Sequence, residues 1–194
     1  VGSIEPQKIS SYVYDDSTQK MRVDELTYIP GLLKIFDEVI VNAIDHAMRL
    51  KAEETKGKED IKHVKNIKVS IDKTTGTITI YNDGNGIDIA KHPEYDIWIP
   101  EMIFGHLRTS TNYNKNEKRI VGGKNGFGFK LVLIYSEWGN IETVDHIRGK
   151  KYTQRFERNL SVIKKPSIRK CKNKPYTQVT FKPDYTRFGL DCLT

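Results

Sequence analysis

Glu38, Asn42 and Asp45 lie within one short stretch, "EVIVNAID". At 100° per residue, Asn42 sits about 40° from Glu38 and Asp45 about 20° to its other side, so on a helix all three project from one narrow stripe. A carboxylate and an amide one turn apart can divide labour on a nucleotide. The amide oxygen suits a hard Mg²⁺ ion, and the carboxylate can orient or deprotonate a water. The plain alternative is that any amphipathic helix must put polar residues somewhere. Two details favour chemistry. No Lys or Arg stands between Lys34 and Arg49, so the carboxylates are expected to lack the usual i,i+4 partners. A mid-helix Asn is a poor helix former, more easily explained if its amide has a task.

Two glycine-bearing stretches could act with that stripe. "NDGNGID", Asn82 to Asp88, closes an expected strand. Gly84 and Gly86 there remove Cβ atoms where something flat could approach the backbone, although Asn-Asp-Gly and Asn-Gly are also ordinary turn sequences. "GGKNGFGFK", Gly122 to Lys130, holds four glycines and two lysines and leads into an apolar segment. Backbone N–H groups at a helix start there could receive phosphate oxygens. It is not a Walker A loop, which needs Gly-x-x-x-x-Gly-Lys-Ser/Thr, nor does it follow the strand–Gly-x-Gly-x-x-Gly–helix order of a dinucleotide fold.

The elements that must carry these residues are legible from periodicity. Pro30 to about Glu54 reads as one long helix, punctuated at its start by Pro30 and Gly31. Leu33, Phe36, Ile40, Ala43, Ile44 and Ala47 are expected to share its buried face. "RLKAEETKGKED", Arg49 to Asp60, reads as a fraying helix end running into a loop. Residues 66–72 and 76–83 alternate as a strand pair. A short helix is expected from Pro100, a polar basic loop follows, and "FKLVLIYSEW" (129–138) reads as a buried helix. Strands are expected in 140–147, 151–159 and 176–184, with the basic run Arg158 to Lys174 as a solvated loop. This order predicts an α+β fold: a two-layer sandwich with a mixed, mostly antiparallel sheet covered on one face by helices. Without regular βαβ alternation, a Rossmann-type sheet is disfavoured.

Composition bounds the rest. A chain of 194 residues fits one domain, large enough to bury about 70% of its unfolded surface without staples. Cys171 and Cys192 make no disulfide framework and no metal-ligand spacing, which suits a reducing compartment. No apolar run reaches the roughly 20 residues of a membrane span. The net charge of +7 is compatible with nucleic acid or with a polyanion such as ATP. A start at Val1 rather than Met suggests a trimmed fragment.

Taken in order, "IPGLLKIFDEVIVNAIDH", "IYNDGNGI", "IPEMIFGHLRTSTNY", "EKRIVGGKNGFGFKL" and "VTFKPDYTRFG" resemble the Bergerat-fold ATPases: DNA gyrase and the type II topoisomerases, the ninety-kilodalton heat-shock chaperones, the MutL mismatch-repair proteins and the histidine kinases. Within that group the pattern is most similar to the ATPase domain of the eukaryotic-type topoisomerase II, and the likeness runs from Val1 to about Leu190. The resemblance implies a Bergerat ATPase fold with ATP and Mg²⁺ as its cofactors. Glu38 would be the general base or water-orienting carboxylate, and Asn42 would bind the Mg²⁺ that bridges the phosphates. Asp45 would lie beside the nucleotide. Asn82 would contact the adenine edge, with Gly84 and Gly86 letting the base approach. Ser110, Thr111 and Asn112 would reach ribose and phosphate oxygens, and Lys124, Asn125, Gly126, Phe127, Gly128 and Lys130 would form the phosphate lid.

The same resemblance implies the ATP-binding and hydrolysing module of a topoisomerase. Mg-ATP would close a dimeric clamp on double-stranded DNA, and hydrolysis would reset it, driving strand passage through a break made elsewhere in the full-length enzyme. The whole of 1–194 would be the N-terminal ATP-binding domain without its preceding arm and following transducer, binding ATP but turning it over slowly and dimerising weakly. It would work in the nucleus or another intracellular compartment that contains DNA, a viral source included, and not at a membrane. The competing readings are a chaperone or mismatch-repair ATPase of the same fold, and a basic DNA-binding domain whose motifs are incidental.

This chain departs from the pattern in places. His46 stands where the subfamily usually has Asn, Lys124 where it has Arg, Phe127 where it has Tyr, and Phe129 where it has Ala. Phe129 is expected to pack beneath the new helix beside Val132 and Leu133. Residues 51–65 form a longer segment than in most relatives and read as a surface insertion.

Overall fold

The computed structural model describes residues 2–106 and 128–193. The long helix α1, Pro30–Thr55, begins with Pro at its first position, where the fixed φ suits a helix and the missing N–H costs nothing. No side chain caps it. Instead the Gly31 N–H donates to Ser3 O at 2.8 Å, so the preceding chain satisfies one of the donors a helix start leaves open.

Before α1 stand two strands that sequence periodicity did not bring out, β1 (Gln7–Asp15) and β2 (Lys20–Tyr28). They pair with each other as a separate antiparallel hairpin. Tyr12, Tyr14, Met21 and Val23 remain exposed, so no buried face marks them.

The main sheet holds β3 (Ile67–Asp72), β4 (Thr77–Asp83), β5 (Ser136–Asp145), β6 (Lys150–Glu157), β7 (Val162–Ile163), β8 (Ser167–Lys170) and β9 (Tyr176–Pro183). Its order is β3-β4-β9-β5-β6-β7, with β8 also on β6, and every pairing is antiparallel. β4 and β9 alternate strictly between buried and half-buried positions, as expected when one face meets a core and the other meets water. The inner rows Ile78 and Ile80, Ile141, and Val179 and Phe181 meet Ile35 and Val39 of α1, and Phe129, Val132 and Leu133 of a short helix α3 (Gly128–Ile134). Each fully buried side chain of this kind is worth about 1.5–3 kcal/mol. A third helix, α2 (Ile99–Gly105), adds Phe104. The fold is therefore the expected α+β sandwich with helices on one face.

Several local expectations are corrected. α3 stops at Ile134, and Ser136 to Trp138 belong to β5. Trp138 there pairs across to Lys182 and Glu157, so tertiary pairing overrides the continuous apolar pattern. The basic run after Arg158 is not a plain loop, because it includes β7 and β8. On α1 the fully buried residues are Gly31, Ile35, Val39, Ala43 and Leu50. Leu33 and Ile44 are exposed, because the face against the sheet lies a step round the helix from the one expected.

Candidate functional site

Glu38, Asn42 and Asp45 do share one side of α1, and the structure shows what flanks them. The Glu38 carboxylate is not without a basic partner: Lys34 Nζ lies 3.1 Å from its Oε1 and 3.0 Å from Asp37 Oδ2. The i,i+4 partner is the residue that bounded the basic-free stretch, which corrects the expectation. Asp37 and then Glu38 hold the Lys34 pKa above its ordinary value, although an exposed pair of this kind adds only a few tenths of a kcal/mol.

Asn42 is exposed, and its Nδ2 donates to Glu38 O at 2.5 Å. The amide nitrogen is thus used on the helix itself, and Oδ1, a hard oxygen donor, is the end that could take a cation. Among the described residues no group of three His, Cys, Asp or Glu could hold a metal.

The start of α3 closes against this stripe. A Cβ built on Gly128 would fall 2.1 Å from Glu38 Oε2, so glycine is what lets the carboxylate sit against the backbone. Phe129, next along, is buried in the core with Val132 and Leu133 and meets Phe104 edge-to-face at 4.4 Å. This is the packing expected for it. Lys130 is buried as well, and burial lowers its pKa to about 8. It carries its charge near neutrality but gives up its proton far sooner than a surface lysine. Ser110, Thr111, Asn112, Lys124, Asn125, Gly126 and Phe127 lie outside the described residues.

Gly128→Ala follows as a prediction. The new methyl must displace the Glu38 carboxylate, which is flexible and can swing away cheaply. Any nucleotide turnover at this stripe in the intact protein is expected to fall about tenfold to a hundredfold, with the thermal midpoint moving by no more than about 2 °C, since little core packing changes. Parallel phosphate-release and melting measurements check this. Turnover close to wild type would remove Gly128 from the site.

The other wall is the end of β4 and the loop that follows it. Asn82 is buried on the helix side of the sheet, with Nδ2 donating to Asp83 O at 2.9 Å. Asp83 turns the opposite way, and its carboxylate accepts from Lys65 N, Asn66 N and Asn66 Nδ2 at 2.7–2.8 Å. Burial works against its charge, but these bonds outweigh burial and hold its pKa below the usual carboxylate value.

Gly84 has φ +92°, and a Cβ on it would meet Val64 and the Lys62 carbonyl at 2.8–3.0 Å. A Cβ on Gly86 would lie 2.0 Å from Val144 O. Both glycines thus leave room for neighbouring protein atoms that a side chain would displace. The end of the 51–65 segment is accordingly more than a surface insertion, since Lys62 and Val64 pack against Gly84 and Lys65 bonds Asp83.

Side chains that sequence reading passed over fix the rest of this loop. Thr143 Oγ1 accepts from Ile87 N at 2.9 Å and contacts Thr177 Oγ1 at 3.0 Å. Asp145 accepts from Ile89 N at 3.0 Å and from Arg148. Burial opposes its charge, yet the bonds from Ile89 and Arg148 keep its pKa low. The only sequence hint was the alternation of polar residues in a strand. His46 bonds Asn85 O at 2.7 Å. Burial chiefly lowers its pKa against the smaller effect of that bond, which favours the neutral ring at pH 7.

The chain resembles known proteins over nearly its whole length. The chain is 48% identical over 197 residues to "DNA topoisomerase 2" of Acanthamoeba polyphaga mimivirus, covering 100% of this chain and 15% of that protein. It is 45% identical to the Saccharomyces cerevisiae protein of the same name, covering 98% of this chain and 13% of that one. The chain thus spans about a seventh of the relatives' length. The crystal structure of the ATPase region of Saccharomyces cerevisiae topoisomerase II superposes with a TM-score of 0.87 at 44% identity, over 99% of this chain and 48% of that one. The ATPase and transducer domains of DNA topoisomerase II from Balamuthia mandrillaris give 0.85 at 38%, over 98% and 47%. Residues 27–187 match the family described as "Histidine kinase-, DNA gyrase B-, and HSP90-like ATPase". A helix stripe of Glu, Asn and Asp, walled by a buried Asn loop and a glycine helix start, is therefore housed in the fold of that ATPase family, to which this chain belongs.

Proposed function

We propose that this chain binds Mg-ATP as the nucleotide-driven gate of a type II DNA topoisomerase. ATP binding would close a homodimeric clamp on double-stranded DNA, and hydrolysis would reopen it. The observation that carries the reading is the convergence of Glu38 and Asn42 on α1 with Gly128 at the start of α3 and the Asn82 loop.

The donor set fits Mg²⁺: an amide oxygen and a nearby carboxylate are hard oxygen donors, and Mg²⁺ prefers one or two such ligands beside phosphates. Asn42 Oδ1 would hold the ion, which when bound neutralises charge building on the phosphates. Glu38, steadied by Lys34, would orient the attacking water and accept its proton. Asp45 would sit beside the same ligand, and Asn82 would receive the adenine edge with Gly84 and Gly86 shaping its loop. Lys130 and the stretch from Lys124, with Ser110, Thr111 and Asn112, would hold ribose and phosphates. A protein with this task would reside in a compartment that contains DNA, the nucleus included. Among the described residues no helix is long and apolar enough to cross a membrane.

The matched relatives favour this reading over a chaperone or mismatch-repair ATPase.

Calorimetric titration of a non-hydrolysable ATP analogue with Mg²⁺ tests the reading. Wild type is expected to bind, and Asn42→Ala to lose the Mg²⁺-dependent part of the affinity, about 1.5–3 kcal/mol for a bond to a charged partner. An unresponsive wild type, or an Asn42→Ala titration identical to wild type, would count against it.

A further inference from the structure

We propose that His46 is a positioning residue: it ties α1, which carries Glu38 and Asn42, to the base-side loop at Asn85 and so sets where the Gly84–Gly86 turn, next to Asn82 at the end of β4, stands. The inference rests on the ATP-site reading above. His46 lies on α1 one turn beyond Asn42 and two beyond Glu38, so a bond from its ring fixes the loop relative to both.

His46 Nε2 and the Asn85 carbonyl are 2.7 Å apart. A carbonyl can only accept, so the ring donates from Nε2. Asn85 is itself buried and is gripped from the far side by segment 56–66: its N–H donates to Lys62 O at 2.8 Å, and its Oδ1 accepts from Lys62 N at 2.7 Å. Two residues on, Ile87 N is fixed by Thr143. The loop from Gly84 to Ile87 is thus held by the strap at Lys62, by Thr143 of β5, and by His46 of α1. The strap and β5 bonds set its height on the sheet, whereas the His46 bond sets its distance from α1.

Loss of that bond leaves a carbonyl short of a partner in a buried place. The loop is then drawn to a new position while the phosphate-side groups stay where they are. The predicted signature is a loss of base recognition out of proportion to any loss of phosphate recognition. A purely structural role would weaken every nucleotide alike.

The test compares wild type with His46→Leu, which keeps bulk and removes the donor, and His46→Gln, whose amide nitrogen reaches the place of Nε2. His46→Ala serves as a smaller second variant should the Leu variant not fold. Each is titrated with the non-hydrolysable analogues of ATP and of GTP in Mg²⁺. Expected is a fall of about tenfold in affinity for the adenine analogue in His46→Leu, in keeping with one lost buried hydrogen bond, together with a collapse of the adenine-over-guanine preference. His46→Gln should return both to within about threefold of wild type. If wild type binds and His46→Leu keeps its affinity and base preference, the positioning role is overturned while the ATP-site reading stands. An equal loss for both analogues that Gln does not rescue overturns it too. Failure of wild type to bind either analogue overturns both.

Discussion

Replacing Glu38 with Gln is expected to stop ATP turnover in the intact protein while leaving analogue binding within about threefold of wild type. The substitution keeps shape and the oxygen that faces Lys34 at 3.1 Å, and it removes only the ability to accept a proton. Loss of a positioned general base costs typically 10²–10⁴ in rate, or about 3–5 kcal/mol of barrier. Lys34 cannot substitute, because a cation has no lone pair to receive the proton of the attacking water. Glu38 also contributes little to packing, since it is partly exposed and its one ion pair is of the weak surface kind. Phosphate release measured beside analogue titration separates the two effects. A variant that keeps more than about a tenth of the wild-type rate would assign the water to another group, since a base normally supplies far more than that.

The same residue shows what the sequence could disclose. Helical periodicity alone put Glu38, Asn42 and Asp45 on one stripe, because a 3.6-residue repeat is a property of the chain and needs no partner. The order of the motifs then carried the fold, with its sheet and helix-covered face. What stayed hidden was set by contacts between distant segments. That Leu33 and Ile44 are exposed while Ile35 and Val39 are buried depends on the rotation of α1 about its axis, fixed by the sheet beneath it. The hairpin β1–β2 shows no buried face of its own, so its pattern had no core to point to. Thr143 and Asp145 are 56 residues from the amides they hold, and no local spacing marks such a bond. The glycines were the instructive case. Close approach at Gly84 and Gly86 is legible from residue type, but the protein atoms that come near them, from Val64, Lys62 and Val144, are named only by the packed structure.

That finding leads to the largest expected effect on stability, Gly86→Ala. The added Cβ would lie 2.0 Å from Val144 O, 2.6 Å from Val144 C and 2.9 Å from Thr143 Oγ1. None of these can step aside. Val144 is fully buried on β5, which is paired along its length with β6 on one side and β9 on the other. Displacing it would break ladder bonds in two directions. The loop must therefore lift instead, giving up the Ile87 bond to Thr143 and straining that of Ile89 to Asp145. Overpacking a rigid site costs about 1–3 kcal/mol, and each lost bond with a buried partner adds about 1 kcal/mol. The sum, about 3–4 kcal/mol, corresponds to a fall in thermal midpoint of roughly 6–15 °C for a chain of this size. Gly57→Ala is the control. Its φ of +82° makes an Ala strained, but nothing lies within 4 Å of the new methyl, so it should cost only about 1 kcal/mol, the ordinary penalty of left-handed backbone. Melting curves of the two variants beside wild type decide the matter. A Gly86→Ala protein no less stable than Gly57→Ala would mean that the loop can move off β5 freely, and that the site's base-side wall is not the fixed platform described above.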